Sequence, residues 1–396
     1  MKFLRNQLDS VKPKFERGGK WEKYFFAYEA IETFLFSPDT TTDAKGAQIR
    51  DAIDLKRLMM TVVISMLPCL IFGMWNVGHQ HFLALGQSAN WDQKLWIGTL
   101  QTVPIIVVSY GVGLGIEFIF ATIRRHPVNE GFLVTGLLIP LVMPPDVPLW
   151  QVAVATAFAV IIGKEAFGGT GMNVVNIALT ARAFLYFAYP LQISGEVWTF
   201  LGDGPTVAGY SGATPLAVAG QSVGNSVADL NAFGAGWADG MYSFWNMFLG
   251  VIPGCIGETS TLMCLIGGFI LVVTGVGSWK IIVSVFGGAL GMGLLLNAVG
   301  STPMSQIAPH YQLVMGGMAF GAVFMATDPV TAAQTETGKW FYGLFIGMFT
   351  VLIRTYNPAY PEGIMLAILL MNVFAPMIDY FVVSANKKRR IQRATV

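Results

Sequence analysis

Long apolar segments, separated by short polar, glycine-rich or proline-rich stretches, make up most of the chain. Several segments approach the roughly 20 residues that an α-helix needs to cross a bilayer. The ten segments lie at about 58–77, 96–122, 131–143, 149–163, 174–189, 260–276, 280–297, 312–326, 340–354 and 363–384. The pattern therefore predicts an all-α polytopic membrane protein with about ten transmembrane helices.

Several of these segments are interrupted. The third runs into Pro140 and the stretch 143–148, and the fifth begins behind the glycine-rich stretch 168–173. Similar breaks recur in the second half at 326–329 and 356–363. Irregular backbone at membrane depth is tolerated only where protein or a cavity satisfies its polar groups. Because five spans per half give the halves opposite orientations, the chain is predicted to form two inverted five-helix repeats with broken helices.

Lysine and arginine are strongly segregated along the chain, although its net charge is only +1. Eleven lie before residue 58, and none lies in the seventy residues 190–259. Since cytoplasmic flanks are enriched in these cations, both termini are predicted to be cytoplasmic. The predicted organisation is a cytoplasmic N-terminal arm (1–57), a first transmembrane repeat (58–189), an outward-facing loop (190–259), a second transmembrane repeat (260–384) and a cytoplasmic basic tail (385–396).

Composition narrows the possible chemistry. The chain is 54% apolar and only 12% charged, whereas about a quarter of residues are charged in a usual soluble domain. Its three cysteines and four histidines form neither a Cys-x-x-Cys nor a His-Glu-x-x-His pattern. We therefore expect no soluble metalloenzyme chemistry, no metal site and no nucleic-acid partner. The N-terminus lacks an apolar region followed by a small-residue cleavage site, so no signal peptide is expected.

The stretch 210–215, Tyr-Ser-Gly-Ala-Thr-Pro, is the main chemical candidate in the outward loop. The Thr214 hydroxyl can become a phosphoester if its backbone is held open to a transferase. Gly212 and Ala213 leave no bulky side chain beside it, and Pro215 restricts φ on the far side. Small residues in a glycine-rich loop are also typical of an ordinary turn. The residues alone therefore permit modification without requiring it.

Motifs along nearly the whole chain resemble the B-subunit family of the sodium-translocating NADH:quinone reductases. The matching stretches are Gly18-Gly19-Lys20, Asp54-Leu55-Lys56-Arg57, Val128-Asn129-Glu130-Gly131-Phe132, Gly163-Lys164-Glu165-Ala166-Phe167-Gly168-Gly169-Thr170-Gly171, Tyr210-Ser211-Gly212-Ala213-Thr214, Phe324-Met325-Ala326-Thr327-Asp328-Pro329 and Asn357-Pro358-Ala359-Tyr360-Pro361-Glu362-Gly363. The resemblance implies a flavoprotein subunit of a six-subunit redox-driven sodium pump in the bacterial inner membrane. It also implies maturation by a flavin transferase.

The resemblance implies two flavins. FMN would be joined covalently through its phosphate to Thr214, with Ser211, Gly212 and Ala213 beside it. Riboflavin would be bound noncovalently by Asn173 and Asn176, whose amides can donate and accept as an isoalloxazine edge requires. Capping of the following helix is the alternative role of these asparagines.

The resemblance also implies sites for ubiquinone and sodium. The quinone region would include Gly113, Leu114, Glu117, Glu130 and Phe132, although glycines spaced like Gly111, Gly113 and Gly115 also permit close helix packing. The acids implied to affect sodium uptake are Glu29, Glu117, Asp328 and Asp379. Capping and hydration are the alternative for acids near helix ends. Lys164 and Glu165 are expected to pair with each other at the membrane surface.

The predicted function is passage of electrons from covalent FMN to riboflavin and ubiquinone, coupled to sodium export. NADH would be oxidised by partner subunits, because no nicotinamide-binding fold is recognisable in this chain. Two alternatives stay open. One is the D subunit of the related Rnf complex, a ferredoxin:NAD oxidoreductase, which shares the flavinylated threonine and lacks a long cytoplasmic arm. The other is a secondary transporter without a redox centre.

Overall fold

The computed structural model describes residues 2–16, 18–36, 55–128, 131–194, 197–202, 204–222, 226–235, 237–238, 240–300, 302–357 and 360–394. The described residues are predominantly helical. Two helices form in the N-terminal part, α1 (Lys2–Val11) and α2 (Phe25–Leu35). Five helices follow in the first half: α3 (Leu55–Ala84), α4 (Trp91–Arg124), α5 (Gly131–Leu141), α6 (Leu149–Gly163) and α7 (Ile177–Ala188).

The second half has the same number of main segments. Three short helices precede it, α8 (Pro215–Gln221), α9 (Ser226–Ala232) and α10 (Phe244–Leu249). The segments are α11 (Thr261–Val273), α12 (Trp279–Val299), a broken segment with α13 (Tyr311–Val314) and α14 (Met318–Phe320), α15 (Glu336–Tyr356) and α16 (Ile364–Ala394). Each of the ten predicted apolar segments thus overlaps helix. Within the described ranges, five helices are suited by length and composition to crossing a membrane: Leu55–Ala84, Trp91–Arg124, Leu149–Phe167, Trp279–Val299 and Ile364–Ala394.

The predicted breaks coincide with irregular backbone. In the loop before α7, Gly168, Gly169 and Gly171 all have positive φ values, between 88° and 120°. Side chains other than glycine are strained in that region, so the backbone turns there and α7 begins only at Ile177. In the eighth segment, α14 continues into a buried π-helical turn over Gly321–Met325. Such turns occur frequently at functional sites.

Glycines allow the helices to approach closely. A Cβ atom on Gly98 of α4 would lie 1.6 Å from the carbonyl oxygen of Met74 on α3. On α12 and α15, Cβ atoms on Gly288 and Gly347 would lie 2.2 Å and 2.1 Å from facing carbonyl oxygens. Small residues commonly mediate helix packing in membranes. Of the glycines near position 113, only Gly113 has this role, because Cβ atoms at Gly111 and Gly115 would meet nothing within 4 Å.

Helix α3 packs on α11, and α7 packs on α16, which brings the two halves into contact. At the first contact, the Sγ atoms of the buried Cys69 and Cys264 lie 3.8 Å apart. At the second, the Asn372 side-chain amide is oriented so that its nitrogen donates to the Tyr342 hydroxyl at 2.7 Å. Its oxygen then accepts from the backbone N–H of Asn176 at 3.0 Å. These contacts join the halves along two helix pairs.

The N-terminal helices fold onto one another and then onto α4. The Tyr28 hydroxyl donates to the Leu8 carbonyl at 3.0 Å, and its ring stacks on Phe15 with centroids 5.0 Å apart. Glu32 accepts from Arg5 at 3.3 Å and from Lys12 at 3.2 Å. Aromatic residues such as Tyr28 and Phe15 therefore form a small core in this part of the N-terminal arm.

Gly98→Ala should destabilise the fold, because its methyl group would overlap the Met74 carbonyl. Overpacking of this kind typically costs about 1–3 kcal/mol. The control is Gly111→Ala on the same helix, where nothing lies within 4 Å and alanine is the better helix former. Unfolding of the purified variants in detergent, followed by circular dichroism, measures both. Equal losses of stability would contradict the proposed role of the close contact.

Candidate functional site

A cavity of about 690 Å³ opens beside Thr214. We call it the threonine cavity. Its lining includes Thr214, Arg182, Glu258, Glu362, Trp198 and Tyr360. The lining combines these charged side chains with aromatic and apolar ones, a mixture that is typical of sites for small molecules and cofactors.

The loop that carries Thr214 is held by a network of hydrogen bonds. Thr214 is the N-cap of α8, and its Oγ1 accepts from the backbone N–H of Ala217 at 3.2 Å. The hydroxyl of the buried Tyr242 donates to the carbonyl of Ala213, next to Thr214. Burial raises the pKa of the Tyr242 phenol well above its usual range, so it stays protonated and able to donate. The loop thus presents Thr214 at the cavity wall with its backbone fixed.

A buried ionic cluster forms the other wall of the threonine cavity. Arg182 donates from Nη1 to Glu258 Oε1 at 2.7 Å and from Nη2 to Glu362 Oε2. Behind it, the fully buried Arg354 donates to the Glu362 carbonyl at 3.0 Å and to the Gln312 carbonyl at 2.7 Å. Arg182 thus faces both carboxylates, whereas Arg354 is bound through carbonyl oxygens. This pairing of Arg182 is needed because an unpaired buried charge is strongly destabilising.

A second cavity of about 840 Å³ lies toward the other end of α7. We call it the asparagine cavity. Its lining includes Asn173, Asn176, Lys164, Thr170, Phe324 and Asp328. Asn176 Oδ1 accepts from the Leu179 N–H at 3.1 Å, so Asn176 is the N-cap of α7. Asn173 donates instead to the Val175 carbonyl at 3.1 Å. The two predicted asparagines thus border one cavity in different structural roles.

The pairing expected of Lys164 and Glu165 is wrong. Lys164 is buried and donates to Glu117 of α4. Glu165 instead accepts from Arg124 at 3.0 Å. The loop directs the two neighbouring side chains to different partners, and each carboxylate finds its cation on another chain segment. Lys164 therefore neutralises Glu117 inside the protein, away from the surface.

The structure brings together three of the five residues predicted for the quinone region. Phe132 lies against Gly113, where a Cβ atom would be 1.8 Å from the Phe132 ring, and the Lys164 Nζ is 6.0 Å from that ring's centroid. Glu117 completes this group through Lys164 and borders a third cavity of about 470 Å³. Leu114 is only partly buried. Glu130 lies outside the described residues.

The four acids predicted for sodium have separate surroundings. Glu29 lies on α2 in the N-terminal part, and Glu117 is paired with Lys164. Asp328 accepts from the Val330 N–H at 3.1 Å at the edge of the asparagine cavity. Asp379 accepts from the N–H and hydroxyl of Thr335, at 2.9 Å and 2.6 Å. In the described part of the chain, none of them belongs to a cluster of three or more metal-ligating side chains.

The sequence did not reveal the partners of Arg182. An arginine within an apolar segment is costly and by default suggests function. Its two partners, Glu258 and Glu362, are separated from it by 76 and 180 residues in the chain. Glu258 and Glu362 lie just before α11 and α16, and this position could have marked them as partners of Arg182. A carboxylate at the start of an apolar segment can reach into the helix bundle.

Helices that are broken at polar cavities, in a chain with several helices suited to crossing a membrane, define a polytopic membrane protein with internal cavities. A sequence model of the NQR2, RnfD, RnfE family matches residues 42–388. The chain therefore belongs to this family.

Several relatives align over nearly the full length. One is the B subunit of the Na(+)-translocating NADH-quinone reductase of Ectopseudomonas mendocina (strain ymp), which is 46% identical over 98% of this chain and 99% of the relative. The proteins of the same name from Pseudomonas paraeruginosa and Chromohalobacter salexigens are each 47% identical, over 98% of this chain. The alignments cover 99% and 96% of those relatives.

Lys164→Met should strongly destabilise the protein, because Glu117 would be left buried without its cation. Breaking such a pair typically costs roughly 3–5 kcal/mol. Lys280→Met is the matched control, since Lys280 pairs with Glu336, whose side chain is 66% exposed. Exposed pairs contribute up to about 1 kcal/mol. Unfolding in detergent measures both, and the Lys164→Met/Glu117→Gln double variant should recover part of the loss. A similar small effect of Lys164→Met and Lys280→Met would show that the buried pair is not needed.

Proposed function

We propose that this chain is a membrane flavoprotein subunit of a redox-driven sodium pump, a translocase that reduces ubiquinone at the expense of NADH and exports sodium. The observation that carries the proposal is the Thr214 hydroxyl at the edge of a cavity of about 690 Å³. The names of the full-length relatives support the same activity. NADH oxidation is assigned to partner subunits of the proposed six-subunit complex.

Covalent FMN on Thr214 fits the threonine cavity. Gly212 and Ala213 keep the approach to the hydroxyl free of bulky side chains, and the Tyr242 contact holds the adjacent carbonyl. Aromatic side chains of Trp198 and Tyr186 in the lining suit a planar ring. A phosphoester at Thr214 retains an Oγ1 lone pair for the Ala217 N–H. A flavin transferase would install the group, which when bound accepts two electrons and releases them singly.

Noncovalent riboflavin fits the asparagine cavity. Asn173 and Asn176 supply amide groups that both donate and accept, which matches the polar edge of an isoalloxazine. Phe324 and Ile177 add apolar surface for the ring. Ile177 lies in this cavity and Tyr186 lies in the threonine cavity, so about 14 Å of helix α7 separates them at 1.5 Å per residue. Helix α7 would therefore connect the two flavin sites.

Ubiquinone is assigned to the region around Gly113, Glu117 and Phe132, with Leu114 and Glu130 beside it. The buried Glu117–Lys164 pair borders this region, and the Glu117 carboxylate can accept a proton there. Sodium is assigned to a path near Glu29, Glu117, Asp328 and Asp379, because hard cations prefer oxygen ligands.

We also infer an inverted repeat with both termini on the cytoplasmic side of the bacterial inner membrane. In the first half α3 packs on α5, α4 on α5 and α6, and α6 on α7. In the second half α11 packs on the broken segment, α12 on that segment and α15, and α15 on α16. These shared neighbour pairs support two copies of one plan, although α3 also packs closely on α4 in the first half. The basic residues of the arm and tail support the orientation.

Membership of the family does not separate the quinone reductases from the Rnf proteins, because the family includes both. The alignments with the quinone reductase proteins cover 98% of the chain, so they reach into the N-terminal arm. This coverage favours the quinone reductase. A secondary transporter without flavin would be colourless when purified, whereas the proposed protein is yellow.

Thr214→Ala should abolish covalent flavin fluorescence of this chain after denaturing gel electrophoresis, because the phosphoester would have no oxygen. The protein must be made in cells that contain the transferase. Thr206→Ala, an exposed threonine of the same loop, should keep full fluorescence. Persistent fluorescence in Thr214→Ala would place the covalent flavin on another residue.

Asn173→Ala should lower the flavin that is released from the assembled complex by denaturation, while covalent flavin on this chain is unchanged. Loss of one amide removes hydrogen bonds on which noncovalent binding depends. Asn90→Ala, an asparagine at the start of α4, is the control and should release the normal amount. High-performance liquid chromatography quantifies the riboflavin. An unchanged yield from Asn173→Ala would argue against the asparagine cavity as its site.

A further inference from the structure

Arg182 has a special place in the threonine cavity. Among the described residues that line this cavity, it is the one cation, and Glu258 and Glu362 are the carboxylates. The Arg182 side chain is only 3% exposed. In such an environment charges interact more strongly than in water, because the surroundings are less polar.

The guanidinium group is fixed from both sides. Nη1 is bound to Glu258 at 2.7 Å, and Nη2 is bound to Glu362. Glu362 is itself anchored through its carbonyl, which accepts from Arg354 at 3.0 Å. A Cβ atom on Gly317 would lie 2.8 Å from oxygens of both carboxylates, so there is little room for this cluster to shift. The positive charge therefore keeps one position relative to Thr214.

We propose that the positive charge of Arg182 sets the reduction potential of the flavin attached at Thr214, and that the negative charge of Glu258 opposes this effect. The inference rests on the proposed function, since it concerns a flavin in the threonine cavity. Reduction adds electrons to the isoalloxazine ring and increases the negative charge near its N1–C2=O edge. A nearby cation favours this change and a nearby carboxylate disfavours it. The cluster thus combines two influences of opposite sign.

Replacing Arg182 and replacing Glu258 should therefore shift the midpoint potential of the flavin in opposite directions. Arg182→Gln removes the cation and leaves the carboxylates, so the midpoint potential should become more negative. Glu258→Gln removes an anion and keeps the cation, so the potential should become more positive. Arg182→Lys keeps the charge and should stay close to the parent protein. Simple loosening of the cavity has no reason to give shifts of opposite sign.

The experiment is a spectroelectrochemical titration of the assembled complex. The signal of the flavin on Thr214 is isolated as the difference from the Thr214→Ala complex. Glu336→Gln, which alters an exposed carboxylate on α15, is the control and should leave the midpoint potential unchanged. Mass spectrometry of the peptide containing Thr214 first confirms that each variant carries FMN.

A more negative midpoint potential in Arg182→Gln together with a more positive one in Glu258→Gln would support the assignment, and the reverse signs would overturn it. Unchanged potentials, or shifts of the same sign, in complexes that retain FMN on Thr214 would overturn it. If Arg182→Gln does not assemble, Glu258→Gln and Arg182→Lys still decide, because the former must shift the potential positively and the latter must preserve it. Absence of FMN from Thr214 in the unsubstituted complex would instead refute the proposed function.

Discussion

The pairing of buried charges is the constraint on which this structure most depends. Charged side chains are rare in this chain, and several of them lie inside the bundle. Lys164 is paired with Glu117, and Arg182 is paired with Glu258 and Glu362. Removing one partner of such a pair is expected to cost several kcal/mol. The two clusters therefore fix how distant parts of the chain meet.

The clusters also connect the fold with the proposed chemistry. The Lys164–Glu117 pair borders the asparagine cavity and the third cavity beside Glu117, and the Arg182 cluster forms a wall of the threonine cavity. Helix α7 extends between the two main cavities, with Asn176 as its N-cap and Arg182 near its middle. Glycine-dependent turns before α7 and in the eighth segment allow polar groups to line these cavities. A continuous helix in either place would close off that space.

Much of the fold follows from sequence patterns, because apolar length and glycine or proline breaks are local signals. All ten predicted segments contain helix, and the backbone is irregular at the predicted breaks before α7 and at 326–329. The interruption of the eighth segment between α13 and α14 was not predicted. Crossing of the membrane by all ten segments stays a prediction, since five helices meet the length and composition required. The placement of Thr214 beside a cavity agrees with its predicted role, which itself stays a proposal.

Pairwise contacts could be predicted less well, because they depend on residues far apart in the chain. An ion pair between the neighbouring Lys164 and Glu165 was expected from the sequence. Lys164 instead binds Glu117, 47 residues away, and Glu165 binds Arg124, 41 residues away. The meeting of Arg182 with Glu258 and Glu362 likewise requires α7, α11 and α16 to be assembled. The capping role of Asn176, by contrast, is local and was one of the two roles expected.

The central claim is that Thr214 carries a redox group within the threonine cavity. The most direct measurement is mass spectrometry of the peptide containing Thr214, isolated from the active complex made in cells with the transferase. The expected result is one FMN per chain, joined through its phosphate to the Thr214 oxygen. An unmodified Thr214 in a complex that reduces quinone and pumps sodium would contradict the claim.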